Sequence, residues 1–575
     1  MTRPPAPASP RASAHRRARP LACLTAIACA SALAACGSSH STGTEVDPAG
    51  VVPASAPLYA GATVRPAGAL KDDALSAGHA LTGQADPYLR LLAALQTPGS
   101  PALDFSRDVA PWLGPHAGVF LTSLHSAGGL GALLEQGLLG RSGGSTAFPF
   151  SSSGAQGALV LDTTDATRAQ KFLDGQAAHA GAHAAGYRGV AYRVSGSGVA
   201  FGLVDRLAVL GSESALRAVI DTSRGAPSLS HAPGYAKLLA DAPSGALAHL
   251  YSSPASGGSS SAGEGLSGMV GLLGGGRQAN VSLVPSASTL TLDADTLQAG
   301  AQGAGGGLLG SDPGAAEAFN TLPGDSWLAI GLGHVGRNLP SDLRALRGLT
   351  SLGGSSGSGS LSVKSLLGGL LSPLEVLGAA TPAAARDFTS WMGSAGIFAA
   401  GGSLLELKAA VVIQSNDAAR SRAAVAKLAA QLRKSGASLR PVSIPGTEAA
   451  VGVAISGLPV VLDIAAGRGA DGHPLFVIGF AEASVATALN PPSTLAAAAP
   501  RAAAASTLGD GIQPSLIVDF PTLLSLLEGV SLTEDPSISG FVPYLRAATT
   551  LAGGGHSLGG GVERLRVVLG LHQSG

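Results

Sequence analysis

Aromatic residues are scarce in this chain at 4%, charged residues make up only 13%, and cysteine occurs three times in 575 residues. All three cysteines, Cys23, Cys29 and Cys36, fall at or before position 36. The rest of the chain carries no thiol, which excludes disulfides, CxxC metal sites and a cysteine nucleophile whatever the redox state of its surroundings. Beyond Cys36 no stretch holds about 18 uninterrupted apolar residues, so no helix there is expected to span a bilayer. Neither sign of charge dominates, with 36 basic residues against 36 acidic ones. Arg3, Arg11, Arg16, Arg17 and Arg19 precede Cys36 with no acidic residue among them, which leaves 31 (36 less five) basic against 36 acidic beyond it. A mildly acidic body lacks the footprint of a nucleic-acid binder. What is abundant is glycine, 82 residues, within a composition that is 45% hydrophobic. That describes a globular chain with glycine-rich joints rather than a disordered one.

The stretch Leu33-Ala34-Ala35-Cys36 reads as a lipobox. An Arg- and Pro-rich segment and a short apolar run from Leu21 to Ala32 precede it, the pattern of an export signal too short to cross a membrane as a helix. Cleavage is expected before Cys36, whose thiol then carries a diacylglycerol; two or three acyl chains, at about 0.8 kcal/mol per buried methylene, anchor a protein stably. Residues 36–50 form a polar tether. Arg16-Arg17 raises twin-arginine export as an alternative to the general route.

From Val51 onward the sequence repeats itself. Pro57-Leu58-Tyr59-Ala60 matches Ser326-Trp327-Leu328-Ala329, 269 residues on (57 to 326). Trp112-Leu113-Gly114 with Gly118-Val119-Phe120 is echoed by Trp391-Met392-Gly393 with Gly396-Ile397-Phe398. Leu159-Val160-Leu161 running into Asp165 matches Val411-Val412-Ile413 running into Asp417. Ala208-Val209-Leu210-Gly211 matches Phe476-Val477-Ile478-Gly479, and Leu247 to Tyr251 is aligned with Leu516 to Phe520, again 269 on (250 to 519).

Each half reads as strands with helices between them. Val425, Leu428 and Leu432 form one stripe of a helix over Ala418 to Lys434, capped near Asp417 and stopped at Gly436. Ala166 to Ala180, with Ala169, Phe172 and Leu173 inward, is its counterpart. Val199 to Val204 and Leu207 to Gly211 predict a hairpin, as do Leu458 to Ala465 and Pro474 to Phe480. The fold class expected is α+β: two tandem repeats of a mainly antiparallel sheet with covering helices, preceded by a lipoprotein signal peptide. The expected divisions are signal 1–35, tether 36–50, first repeat 51–299, Gly-rich linker 300–314 and second repeat 315–575. Ser142 to Gly157, Ser252 to Gly276, Gly300 to Gly310, Ser351 to Ser360 and Pro491 to Ser506 read as low-complexity loops.

The chain resembles a bacterial family of exported and lipid-anchored proteins, domain of unknown function 3352. The resemblance lies in Val52-Pro53 with Ala56-Pro57-Leu58-Tyr59, in Asp104-Phe105, Asp108-Val109 and Pro111-Trp112-Leu113-Gly114, and in the strand into Asp165-Ala166. The second half departs from it by lacking the full Asp-Val-x-Pro lead into Trp391. The resemblance implies an extracytoplasmic location and no assigned reaction, so no functional residues carry over.

Several motifs suggest chemistry. Gly555-His556-Ser557-Leu558-Gly559 fits a serine nucleophile elbow, but only Glu563 and His572 follow as triad partners, so a glycine loop before a last strand from Val562 to Leu571 is the expectation. Gly353 to Gly357 also fits the elbow pattern, inside a linker. Gly331-Leu332-Gly333-His334-Val335-Gly336 fits a dinucleotide fingerprint without the acidic residue about 20 positions on. His179 and His183 have a ligand-like spacing without a third ligand. Asp104 and Asp108 read as caps beside Trp112, and Trp112 and Trp391 as buried anchors. The Leu-rich segments at Tyr88, Leu89, Leu91, Leu92 and Leu95 and at Leu366, Leu367, Leu370, Leu371 and Leu374 are either core helices or the lining of a groove.

These readings lead to a non-catalytic binding or envelope-structural protein, held on the outer face of the cytoplasmic membrane by lipid on Cys36. No cofactor, metal or nucleic acid is expected, and the partner is a lipid, a small hydrophobic ligand or an envelope protein. The alternatives are a carrier with a groove between sheet and Leu-rich helices and, more remotely, a hydrolase using Ser557.

Overall fold

In a computed structural model the protein is described over residues 46–82, 91–92, 95–96, 100–123, 156–253, 278–297, 312–336 and 389–572, less 404, 435, 455–460, 510, 530–531 and 535–538. The expected signal segment, Cys36, most of the tether, Leu366 to Leu374, residues 300–311 of the linker and the Ser/Gly stretches 142–155, 254–276 and 351–360 lie outside the described residues.

The first half carries strands β1 (Leu58–Thr63), β2 (Leu113–Leu121), β3 (Gly157–Thr163), β4 (His183–Tyr187), β5 (Val190–Val194), β6 (Val199–Val204), β7 (Leu207–Ser212), β8 (Ala248–Ser252), β9 (Ala279–Pro285) and β10 (Thr289–Leu297). The second carries β11 (Ser326–Leu332), β12 (Met392–Ala400), β13 (Lys408–Ser415), β14 (Ser438–Pro441), β15 (Thr447–Ala454), β16 (Val461–Arg468), β17 (Pro474–Phe480), β18 (Gln513–Asp519), β19 (Ala548–Gly559) and β20 (Val562–Leu571). The helices are α1 (Gly68–Thr82), α2 (Ala166–His179), α3 (Glu213–Ser223), α4 (Pro233–Ala240), α5 (Pro313–Asn320), α6 (Ala418–Lys434), α7 (Ala481–Leu489), α8 (Ala499–Leu508), α9 (Phe520–Gly529) and α10 (Val542–Ala547).

All 20 strands form one antiparallel sheet. From one edge the order is β4-β5-β6-β7-β3-β2-β1-β8-β9-β10, and it continues β20-β19-β18-β11-β12-β13-β17-β16-β15-β14. The second list is the first reversed, so each half has the same topology and the two meet edge to edge at β10 and β20. The registers agree as well. Gly118 pairs with Val160 and Val160 with Val209; Gly396 pairs with Val412 and Val412 with Val477.

Both faces of the sheet are covered, which is why β3 is buried along its whole length instead of alternating. On one face α2 lays Ala169, Leu173 and Ala177 against Trp112, Leu161 and Leu210, while α6 lays Val425, Leu428 and Leu432 against Trp391, Ile413 and Ile478. The caps are alike: Asp165 accepts from the Arg168 amide at 3.0 Å and Asp417 from the Arg420 amide at 3.0 Å. Gly436, at φ +92°, ends α6 as the sequence predicts. Trp112 sits with its ring centroid 5.1 Å from Phe172, and Trp391 5.2 Å from Phe476. On the other face lie α3, α4, α5, α7 and α8.

Two expectations are corrected. Pro491 to Ser506 is not a loop: Leu495–Ala497 forms a short 3-10 turn and α8 begins at Ala499 with Pro500 in its first turn. A run of alanines behind an N-terminal proline is a good helix former, whatever its low complexity. The register of the repeat is also corrected: Leu250 against Asp519 is three residues out, and Tyr59 against Leu328 one residue out, since Phe120 faces Tyr59 where its equivalent Phe398 faces Ala329. Ala60 pairs with Leu250 and its equivalent Ile330 with Leu516, so the true offset there is 266 (250 to 516).

The seam between the halves is ionic. Arg564 grips Asp295 with two hydrogen bonds of 2.7 Å, and Arg566 grips Asp293 in the same way, also at 2.7 Å. Both carboxylates have no exposed surface. Arg564 also donates to the Asp241 carbonyl at the end of α4, and Arg566 to the Leu508 carbonyl at the end of α8, 3.1 Å away. Each arginine thus satisfies a buried carboxylate and a helix C-terminus together. Burial raises the pKa of Asp295 against the pull of Arg564, and the carboxylates hold both guanidinium groups charged.

Candidate functional site: a cleft in the second half

Because the two ladders agree, side chains can be compared position by position. The bridges Pro53 to Ser228 and Pro323 to Thr494 fix residue 228 on 494, and the short helices Leu229–His231 and Leu495–Ala497 coincide. With the β8 and β18 registers, residues 228–253 map onto 494–519 without a gap. Across the next ladder Tyr251 faces Asn280 where Ile517 faces Ala552.

In the first half this layer is filled by aromatic rings. The Tyr235 ring centroid lies 5.1 Å from that of Tyr251 and 6.0 Å from that of Tyr59, with both pairs edge-on. The Tyr235 hydroxyl and His249 Nε2 are 3.0 Å apart. Burial pulls the His249 pKa down to about 4, so at neutral pH the imidazole is uncharged and Nε2 can accept the hydroxyl proton. Burial likewise raises the pKa values of Tyr59 and Tyr235. The cluster needs glycine beneath it: a Cβ at Gly61 would lie 2.5 Å from the His249 ring.

In the second half the equivalents of Tyr59, Tyr235, His249 and Tyr251 are Ala329, Arg501, Ser515 and Ile517. Phe319 from α5 takes part of the vacated space, packing over Gly331, the equivalent of Gly61. Arg501 turns to Asn320 Oδ1 at 2.8 Å and Gln513 Oε1 at 3.2 Å. Further along, Lys237, Leu238, Gln278 and Asn280 become Ala503, Ala504, Thr550 and Ala552. Those four shortened side chains, with Ile517, line a cleft of about 610 Å³ between the sheet and α8. That volume suits a small organic molecule.

Trp327 lines the cleft from a bulge between Ser326 and Leu328, at the position that Pro57 holds in the first half. Its indole N–H is closed off from solvent with no acceptor among the described residues, so the cleft meets its ring carbons. Asp519, also in the lining, accepts from the Thr522 hydroxyl at 3.0 Å and caps α9. Among the described residues the lining holds two carboxylates, Asp325 and Asp519, and no basic residue.

Away from the cleft, the row Arg440-Gly452-Asp463-Gly479 crosses β14 to β17. Asp463 has no exposed surface, and neither carboxylate oxygen has a hydrogen bond among the described residues. Arg440 reaches over Gly452 to within 4.0 Å of Asp463 and 3.9 Å of Glu482. Burial pushes the Asp463 pKa up to about 6, with Arg440 opposing.

The motifs singled out in the sequence are dispersed. Cys36 lies outside the described residues, as does Gly353 to Gly357. Gly555 to Gly559 continues β19 rather than forming a loop or an elbow; the turn follows at Gly559, Gly560 and Gly561, all with positive φ. Ser557 faces Glu563 across this hairpin. A nucleophile elbow needs strand, sharp turn and helix. Gly331 to Gly336 ends an antiparallel strand, and His334 bonds Asp312, which caps α5. Among the described residues no parallel βαβ unit stands behind it. His179 ends α2 while His183 opens β4. Asp104 and Asp108 do act as local caps: Asp104 accepts from the Arg107 amide at 2.8 Å and Asp108 from the Asp104 amide at 2.9 Å. Leu91, Leu92 and Leu95 are buried in the core with Trp112 and Leu113, not along a groove. Among the described residues no three metal-ligating side chains gather, and no helix is long and apolar enough to cross a membrane.

Fold and site together define an α+β protein built on a single antiparallel sheet. The chain belongs to the family described as protein of unknown function (DUF3352), whose model matches residues 21–450. No curated protein and no solved structure matches it.

Proposed function

We propose that this is a lipid-anchored, non-catalytic binding protein of the cell envelope, built from two tandem repeats and held on the outer face of the cytoplasmic membrane through Cys36. The first repeat acts as scaffold and the second binds a small, largely apolar molecule in the cleft beside α8. One observation carries the reading: five positions that are bulky in the first half, Lys237, Leu238, Tyr251, Gln278 and Asn280, are shortened together around one cleft. Packed interiors do not leave such space by drift of a single residue, since each missing methylene costs stability. The lipobox supports the address, and the polar tether would let the body reach ligands near the surface. Native mass spectrometry of protein extracted from its own membrane tests both parts. The expected spectrum shows a diacylglyceryl modification at Cys36 and a bound molecule released on unfolding; an unmodified, ligand-free protein recovered from the cytosol contradicts the reading.

A further inference from the structure

The geometry points to a small organic cation with an apolar body, of the quaternary ammonium type, as the ligand class of the cleft. This inference rests on the reading of the cleft as a binding site. Charge complementarity selects it. Asp325 is exposed at the mouth with no ion-pair partner among the described residues, and Asp519 lies in the wall. Among the described residues no lysine, arginine or histidine contributes to the lining to balance them. The single hydroxyl that Asp519 engages, that of Thr522, leaves its charge in place, and the α9 N-terminus it caps offsets that charge only in part. An anionic ligand would face two carboxylates in a partly desolvated cleft, where like charges repel strongly.

Trp327 supplies the second half of the argument. Its N–H is closed off from solvent, so it contributes no donor, and what it offers a ligand is the electron-rich ring system. Tryptophan is the strongest of the aromatic side chains in holding a cation over its ring, and such contacts suit alkylated ammonium groups that have no N–H to donate. The rest of the lining is short and apolar: Ala503, Ala504, Ile517 and Ala552 fit an alkyl or aryl body. The first half has none of this arrangement, since it carries Pro57 in place of Trp327, Ser253 in place of Asp519 and Ser55 in place of Asp325.

The test is a pair of probes of the same shape, benzyltrimethylammonium and its uncharged carbon analogue neopentylbenzene, titrated calorimetrically into the full chain. The inference predicts that the cation binds at least tenfold more tightly. It also predicts at least a tenfold loss in Asp519→Asn, which keeps an oxygen to cap α9, and a similar loss in Trp327→Leu. The Ala504→Leu variant should bind neither probe. If neopentylbenzene binds as well as the cation and Ala504→Leu abolishes both, the cleft remains a binding site and the cation assignment is overturned. If neither probe binds the wild-type chain, the cation assignment fails, while the ligand found by native mass spectrometry still decides the broader reading.

Discussion

The two halves of this protein share one topology and one set of registers, yet they treat the same layer in opposite ways. The first half fills it with Lys237, Leu238, Tyr251, Gln278 and Asn280; the second leaves a cleft of about 610 Å³ where Ala503, Ala504, Ile517, Thr550 and Ala552 take their places. A backbone can therefore be kept while side-chain volume alone turns a core layer into a cavity. The halves also bury titratable groups of opposite sense. His249 is held neutral, with its pKa near 4, whereas Asp463 is pushed up to about 6.

The largest effect is expected at the seam that makes the comparison possible. Arg564→Ala should cost about 3–5 kcal/mol in chemical denaturation, because it strands the buried Asp295 carboxylate. A loss below about 1 kcal/mol would mean that the ionic seam does not hold the halves together. Next, Leu238→Ala copies the second half into the first and should cost about 2–5 kcal/mol, since it empties a packed layer.

Smaller and opposite effects should appear with pH. A histidine whose folded pKa is depressed contributes stability that is present above its usual value of about 6.5 and is lost as pH falls toward 4. A carboxyl whose folded pKa is raised contributes stability that is present below about 3.9 and is lost as pH rises through 6. Each is worth at most about 3 kcal/mol, and across pH 4 to 6 they oppose one another. Asp463→Asn should therefore unmask a loss of stability on acidification, and His249→Gln a loss on raising the pH. Urea melts at pH 4, 5 and 6 would show either slope; identical slopes in wild type and both variants would refute the assignment. The smallest effect is the reverse transplant: Ala504→Leu, which restores the first-half residue, should raise stability by about 1 kcal/mol in urea melts.

Much of the frame was legible because periodicity and capping are local. The helix Ala418–Lys434 lies where its stripe and caps place it, and the strand Val562–Leu571 where its alternation does. The repeat was legible wherever apolar residues sit at matching spacing, as around Gly118 and Gly396. It was misread at Leu250, because Leu-x-x-Leu spacing permits two registers and only the ladder chooses between them. The seam left a trace in Asp293-x-Asp295 and Arg564-x-Arg566, each pair on one face of a strand, but nothing local says that these strands are neighbours. The cleft was hidden more deeply. Its wall includes α8, whose alanine-rich sequence looks like a linker, and it is visible only as volume missing relative to the first half.

The most direct test refills that volume. In an Ala504→Leu, Ile517→Tyr chain, with both positions returned to their first-half residues, native mass spectrometry of protein purified from its own membrane should find no bound small molecule, whereas wild type carries one. An equal load of ligand on both chains would contradict the claim that the second half was opened to bind.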